Sequence, residues 1–290
     1  MIRKEWRLVA AGIGLILLLA PAGCRRSNQQ ANSIQIKGSD TMVNLGQAWA
    51  EGFMKIRPDV SVAVTGGGSG TGIAALLSGT CDVAELSREL KAEEITLAKE
   101  KGFEPQQVTV ALDGLAVVVH PGNPISQLTM DQLAAIFSGV IRNWREIGGA
   151  DLPIVILSRE VNSGTHVYFK EHVLRRGEKG SMVEFAAAAL MLPSSQAIAD
   201  EVAQNSGAIG YFGMGYVSAR EKALAVAKDA SSPYVRPTID NVVNQSYPIS
   251  RPLLMVTRGR PQGLAADFLN YVLSPAGQAI VSKIDFVPVK

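Results

Sequence analysis

Three segments of the chain combine small, hydroxyl-bearing and charged residues in a way that suits recognition of an oxyanion. They are Gly38-Ser39-Asp40-Thr41, the run 66–72 (Gly-Gly-Gly-Ser-Gly-Thr-Gly), and Arg159 followed by Asn162-Ser163-Gly164-Thr165. Each follows a short β-rich run and precedes a stretch of helical periodicity, so each is expected at the start of a helix. There the first backbone N–H groups lack intrahelical partners and the helix dipole is positive, which attracts an anion. Glycine lets the backbone approach closely, and Ser and Thr hydroxyls rotate to suit the ligand. The competing reading of any one such loop is an ordinary N-cap, in which Ser, Thr or Asp satisfies the helix's own amides. The glycine run resists that reading, because its glycines lose backbone entropy on folding and offer no packing in return.

Other chemistries fit the same residues poorly. A P-loop requires Gly-Lys-Ser/Thr, and 66–72 has no lysine. The dinucleotide spacing GxGxxG and the hydrolase elbow GxSxG both place their last glycine where Thr71 stands. The three histidines, His120, His166 and His172, lack metal-ligand spacing, so no metal and no cofactor is expected. His166 reads as a surface helix position, with a place beside the ligand as the alternative. Glu93-Glu94 lies in a charged helical stretch and reads as a solvated face.

The elements that must position these loops follow an alternating pattern. Strands are expected at 34–37, 60–65, 82–86, 108–112, 115–120, 154–158 and 208–212. Met42, Leu45, Trp49, Phe53 and Ile56 recur at helical spacing between the first two. Further helices are centred on Leu76, Ala134, Phe169, Ala187, Ile198 and Phe268, the last of them broken by Ser274-Pro275. Strand and helix in alternation imply an α/β fold with mainly parallel strands. With 290 residues and 47% hydrophobic content, the chain is long for one compact lobe, and two lobes are expected.

The amino terminus reads as an export signal. Arg3, Lys4 and Arg7 precede an apolar stretch, 8–20, of signal-core length and shorter than a membrane span. Pro21-Ala22-Gly23-Cys24 resembles a lipobox, with Pro21 where the pattern usually has Leu, so 1–23 is read as a signal peptide and Cys24 as the lipidated residue. A plain signal peptide or a retained anchor helix are the alternatives, and both still export the chain. Residues 24–33 are polar and read as a tether. Removing 1–23 lowers Lys plus Arg from 28 to 25 and Asp plus Glu from 26 to 25, leaving a formally neutral protein. No basic stripe with interleaved aromatics is present, so no nucleic-acid partner is expected. With Cys24 acylated, Cys81 has no partner for a disulfide.

Taken in order, the motifs Gly-Ser-Asp-Thr-Met (38–42), Gly-Gly-Gly-Ser-Gly-Thr-Gly-Ile (66–73), Ser87-Arg88-Glu89-Leu90, Asp113-Gly114-Leu115, Ile136-Phe137-Ser138-Gly139, Ser158-Arg159-Glu160 with Asn162-Ser163-Gly164-Thr165, and Ser274-Pro275-Ala276-Gly277-Gln278 form a series. The chain resembles, from 34 to its end, the phosphate-binding proteins of high-affinity phosphate ABC transporters. The resemblance implies a two-lobed Venus-flytrap α/β architecture of periplasmic-binding-protein type, with two hinge crossovers near Asp113-Gly114 and Tyr247-Pro248. Lobe I would be 34–113 plus 248–290 and lobe II 114–247. It implies a monomeric, non-enzymatic protein, anchored by its lipid at the periplasm or cell surface, that binds inorganic phosphate and delivers it to a membrane permease. The implied ligand-binding residues are Ser39, Thr41, Met42, Ser69, Ser87, Arg88, Arg159, Ser163, Gly164 and Thr165, with Arg159 as the charged clamp. Some family members carry an aspartate that accepts the phosphate proton where this chain has Ser87, and Asp40 or Asp113 is the candidate to replace it. Another tetrahedral oxyanion (sulfate, molybdate or tungstate) in the same fold, or an enzyme acting on phosphate esters, are the alternatives.

Overall fold

The computed structural model describes residues 32–289, so the expected signal peptide 1–23, Cys24 and most of the tether lie outside the described residues. The fold begins before the expected boundary at 34. Asn32 already accepts the Ser61 amide, and Ser33 opens the first strand.

Eleven strands and nine α-helices follow in order among the described residues. They are β1 (Ser33–Gly38), α1 (Val43–Ile56), β2 (Ser61–Thr65), α2 (Ser69–Ser78), β3 (Val83–Leu86), α3 (Ala92–Glu100), β4 (Pro105–Val119), β5 (Gln127–Thr129), α4 (Met130–Phe137), β6 (Val155–Arg159), α5 (Gly164–Phe169), β7 (Leu190–Leu192), α6 (Ser195–Gln204), β8 (Ala208–Gly213), β9 (Lys222–Ala223), β10 (Ala225–Ala227), α7 (Ile239–Val243), β11 (Ser250–Arg258), α8 (Gly263–Val272) and α9 (Pro275–Lys283). A curled sheet runs in the order β2-β1-β3-β11-β4-β8-β6-β7, with β9 on the side of β4 and a separate pair β10-β5.

The fold is two-lobed α/β, and β4 is the strand that both halves share. Residues 105–114 of β4 pair antiparallel with β11, whereas Leu115–Val119 pair antiparallel with β8. The two expected strands at 108–112 and 115–120 are therefore one continuous strand. Parallel pairing holds on either flank, β1 with β2 and β3, and β6 with β7 and β8. The strands between those flanks are antiparallel, because β11 returns to close the first half.

Both sheet faces are covered where the halves meet, which is why Leu115–Val119 of β4 is an unbroken, fully buried apolar run. On β3, Val83 joins the main core, to which α1, α8 and α9 also contribute, while Ala84 and Leu86 share a second core with α2. On β4, Leu115, Val117 and Val119 join the main core, while Ala116 and Val118 meet Ile198, Ala199 and Val202 of α6. The indole N–H groups of two buried tryptophans lock chain segments together, Trp49 to the Gly277 carbonyl and Trp144 to the Gly207 carbonyl.

Two further expectations are corrected. No helix forms around Ala187. Phe185 stacks on His166 and the Ala186 amide bonds the Phe137 carbonyl, so the segment is held by packing outside it rather than by its own ladder. Ser274-Pro275 ends α8 and also starts α9, with the Ser274 hydroxyl accepting the Gly277 amide and Pro275 in the first turn, where its missing N–H is not needed. Among the described residues, no helix is long and apolar enough to cross a membrane, and Cys81 is a buried free thiol.

Candidate functional site

Where β4 passes from one half to the other, the β11 register sets Arg251 opposite Asp113. Both side chains are fully buried. Nε and Nη2 of Arg251 donate to the same Asp113 oxygen at 2.9 and 2.8 Å, and the other oxygen accepts the Met214 amide at 3.0 Å. Burial raises the Asp113 carboxyl, and the Arg251 fork and the Met214 amide oppose that rise. The rest of the guanidinium points at hydroxyl groups. Nη1 donates to Thr165 Oγ1 at 3.0 Å and to the Ser87 carbonyl at 3.1 Å, and Nη2 reaches Thr41 Oγ1 at 3.4 Å.

Beside this cation several of the predicted hydroxyls meet. Thr41 and Thr165 lie 2.9 Å apart, oxygen to oxygen, although 124 residues separate them. Ser69 Oγ accepts the Ser87 amide at 3.1 Å and lies 3.4 Å from Ser87 Oγ. Gly164 lies against that pair so closely that a Cβ there would come within 2.2 Å of Ser69 Oγ. Four loops from both halves thus bring Thr41, Ser69, Ser87, Gly164 and Thr165 into one buried cluster.

The other predicted residues take different places. Ser163 is the N-cap of α5, its hydroxyl accepting the Thr165 and His166 amides. The Met42 amide is used by the Ser39 carbonyl, and the Ser39 amide by the Glu85 carbonyl, so neither of these donors is spare. Arg88 turns away from the cluster to Glu94 at 2.7 and 2.8 Å, because a carboxylate six residues ahead offers a local two-pronged partner. Arg159 is buried and contacts Asp40 at 3.0 Å, Ser195 Oγ at 3.1 Å and the Pro193 carbonyl at 2.9 Å. Asp40 also accepts the Ser195 amide, and its carbonyl accepts the Tyr216 hydroxyl, so it ties the first half to the second. His166 is buried, unlike its expected surface position. Burial pulls its imidazole down to about 4, so it stays neutral beside Ser158, whose hydroxyl is shared with Tyr211.

Arg251 is the residue that sequence reasoning missed. Its signal was a lone charge in the apolar run 249–257, matched by a lone acid, Asp113, in the apolar run 108–119. Formally Arg251 cancels Asp113 and Arg159 cancels Asp40. The cluster can therefore attract an anion through directed N–H and O–H groups rather than through excess charge. Among the described residues no group of acids, histidines and cysteines is arranged to hold a metal.

Over most of its length the chain is similar to known proteins. The model of the PBP superfamily domain matches residues 25–276. The phosphate-binding protein PstS of Pseudomonas aeruginosa is 34% identical over 302 residues, covering 97% of this chain and 92% of that protein. The phosphate-binding protein PstS of Bacillus subtilis is 33% identical over 260 residues, covering 89% and 81%. Among solved structures, a Clostridium perfringens chain described as a phosphate ABC transporter substrate-binding protein with bound phosphate superposes with a TM-score of 0.80 at 36% identity, covering 89% of this chain and all of that one. An ABC-type phosphate transport receptor from Vibrio cholerae gives 0.70 at 29% identity, with 89% and 100% covered.

Proposed function

The chain belongs to the PBP superfamily and, within it, to the family of the PstS phosphate-binding proteins, and from that premise we propose that it captures inorganic phosphate between its lobes for delivery to an ABC-type importer. The observation that carries this reading is the meeting of Thr41, Ser69, Ser87 and Thr165, from loops of both halves, in one buried cluster that Arg251 joins through its bonds to Thr165, Thr41 and the Ser87 carbonyl. A tetrahedral oxyanion offers several acceptor oxygens, and the clustered hydroxyls, together with the Arg251 N–H groups that here bond Thr165 and Thr41, are the donors that would turn to it in a buried setting. In this reading lobe I is 34–113 plus 248–290 and lobe II 114–247. The hinge crossovers fall where β4 leaves β11 and where the chain returns at Tyr247-Pro248. In this reading the protein is a monomeric receptor rather than an enzyme, and binding needs no bond to break. It is exported by 1–23 and held at the membrane by acylated Cys24.

Of the two candidate proton acceptors, Asp113 stands beside the hydroxyl cluster and Asp40 bridges the lobes, so Asp113 is assigned the acceptor role. Arg159 stays within the site as the cation that anchors Asp40.

Calorimetric titration of the full-length protein with phosphate, sulfate, molybdate and tungstate tests the reading. Phosphate is expected to bind with micromolar or tighter affinity, about 8 kcal/mol or more, and the other anions far more weakly. Phosphate bound no better than the rest would mean that the cargo is not inorganic phosphate, and phosphate esters would be titrated next. Ser69→Val removes both the acceptor of the Ser87 amide and one donor to the ligand, and is expected to weaken phosphate binding by about 1–3 kcal/mol. An unchanged affinity would take Ser69 out of the pocket.

A further inference from the structure

The glycine-rich loop between β2 and α2 meets the turn before α5 directly, backbone against backbone. The Gly70 amide donates to the Asn162 carbonyl at 2.9 Å, and Asn162 Nδ2 donates to the Gly67 carbonyl at 2.8 Å and reaches Thr71 Oγ1 at 3.4 Å. The loop is shaped for this approach. Gly68 has φ +95°, and a Cβ there would come within 2.8 Å of the Asn162 carbonyl oxygen, while one at Gly70 would come within 3.1 Å. Asn162 itself is exposed, whereas Ser69 and Gly164, one or two residues further in on the two facing segments, are buried in the hydroxyl cluster. These bonds use neither the arginines nor the clustered hydroxyls, yet they join the two halves at the rim of the site. Separation of the halves must break them before anything held by Ser69 and Thr165 can leave.

We propose that Asn162 is a latch: a positioning residue whose side chain holds the glycine-rich loop over the bound anion and sets the rate at which it is released. The role rests on the phosphate-binding reading above. It assigns the glycines of 67–70 to close contact between lobes, and gives Asn162 a kinetic function distinct from ligand contact.

Asn162→Ala removes the side-chain donor, and Asn162→Asp keeps the shape while turning the donor into an acceptor facing the Gly67 carbonyl. Stopped-flow measurements on the full-length protein, with inorganic phosphate as the probe, read both rates. Loss of hydrogen bonds at this rim is expected to speed phosphate dissociation about tenfold in both variants, with association changed less than about twofold. Thermal unfolding without phosphate separates this from a general loss of stability and is expected to be unchanged. Wild-type dissociation rates in both variants overturn the latch and leave the phosphate reading intact. If the wild-type chain binds no phosphate, that reading fails and small-angle scattering decides the latch alone: a larger radius of gyration in both variants supports it, and an unchanged one overturns it.

Discussion

Arg251→Met is expected to abolish measurable phosphate binding and to lower the free energy of unfolding by about 3–5 kcal/mol, because it leaves the fully buried Asp113 carboxylate without its counter-ion. Two effects are mixed in that result, and a second variant separates them. Replacing the pair together, Arg251→Met with Asp113→Leu, removes both charges from an apolar environment, and such replacements are commonly neutral or stabilising. The double variant is therefore expected to regain most of the lost stability in urea unfolding while still failing to bind phosphate in calorimetry. Binding that returned along with stability would mean that the pair only supports the fold, and that Arg159 is the sole cation of the site. A double variant as unstable as the single one would show that the hydrogen bonds from Arg251 to Thr165, Ser87 and Thr41 carry the stability, rather than the ion pair.

Sequence and structure agree where physics is local, and part where a partner lies far along the chain. The face of α1, from Leu45 to Phe53, was legible because a periodicity of three to four residues needs only one helix to explain it. The three anion-suited loops were legible for the same reason, since strand, glycine and hydroxyl, and helix are consecutive. β11 was not, because Arg251-Pro252 at its start reads as an interruption. In the fold the charge is answered by Asp113, 138 residues away, and a register shift at Leu253/Leu254 accommodates the irregular start. Arg88 shows the opposite limit. The family resemblance implies a ligand contact for it, and in the fold its guanidinium is bonded to Glu94, six residues ahead. From sequence alone the glycine run suits an anion. Only the facing turn at Asn162 shows that part of the run is there to let two backbones touch.

Glu85→Met is expected to stabilise the protein at neutral pH by about 1–3 kcal/mol, the penalty of an unsatisfied buried polar group. The Glu85 carboxyl lies on β3, fully buried, against the backbone of Gly46 on α1, and neither of its oxygens has a hydrogen-bond partner. Burial pushes its pKa well above the ordinary value, so the folded protein keeps the proton at pH values where the unfolded chain has released it. The sign of the pH effect follows. Above the unfolded value, about 4.3, the native state binds more protons than the unfolded state, so this group makes stability fall as pH rises. Its contribution is fully present below the unfolded value and is lost as pH climbs toward the folded one. Methionine does not titrate, and the other carboxyls, among them Glu94, which its hydrogen bonds to Arg88 and the Lys91 amide hold low, titrate alike in both proteins and cancel from the difference. Urea unfolding of wild type and variant at pH 4, 5.5, 7 and 8 should therefore show a stability gap that is smallest at pH 4 and widens steadily upward. A gap of constant size would mean that Glu85 does not hold its proton in the folded protein. The phosphate affinity of the variant should match wild type, since Glu85 faces α1 and gives the site only its backbone carbonyl, which holds the Ser39 amide.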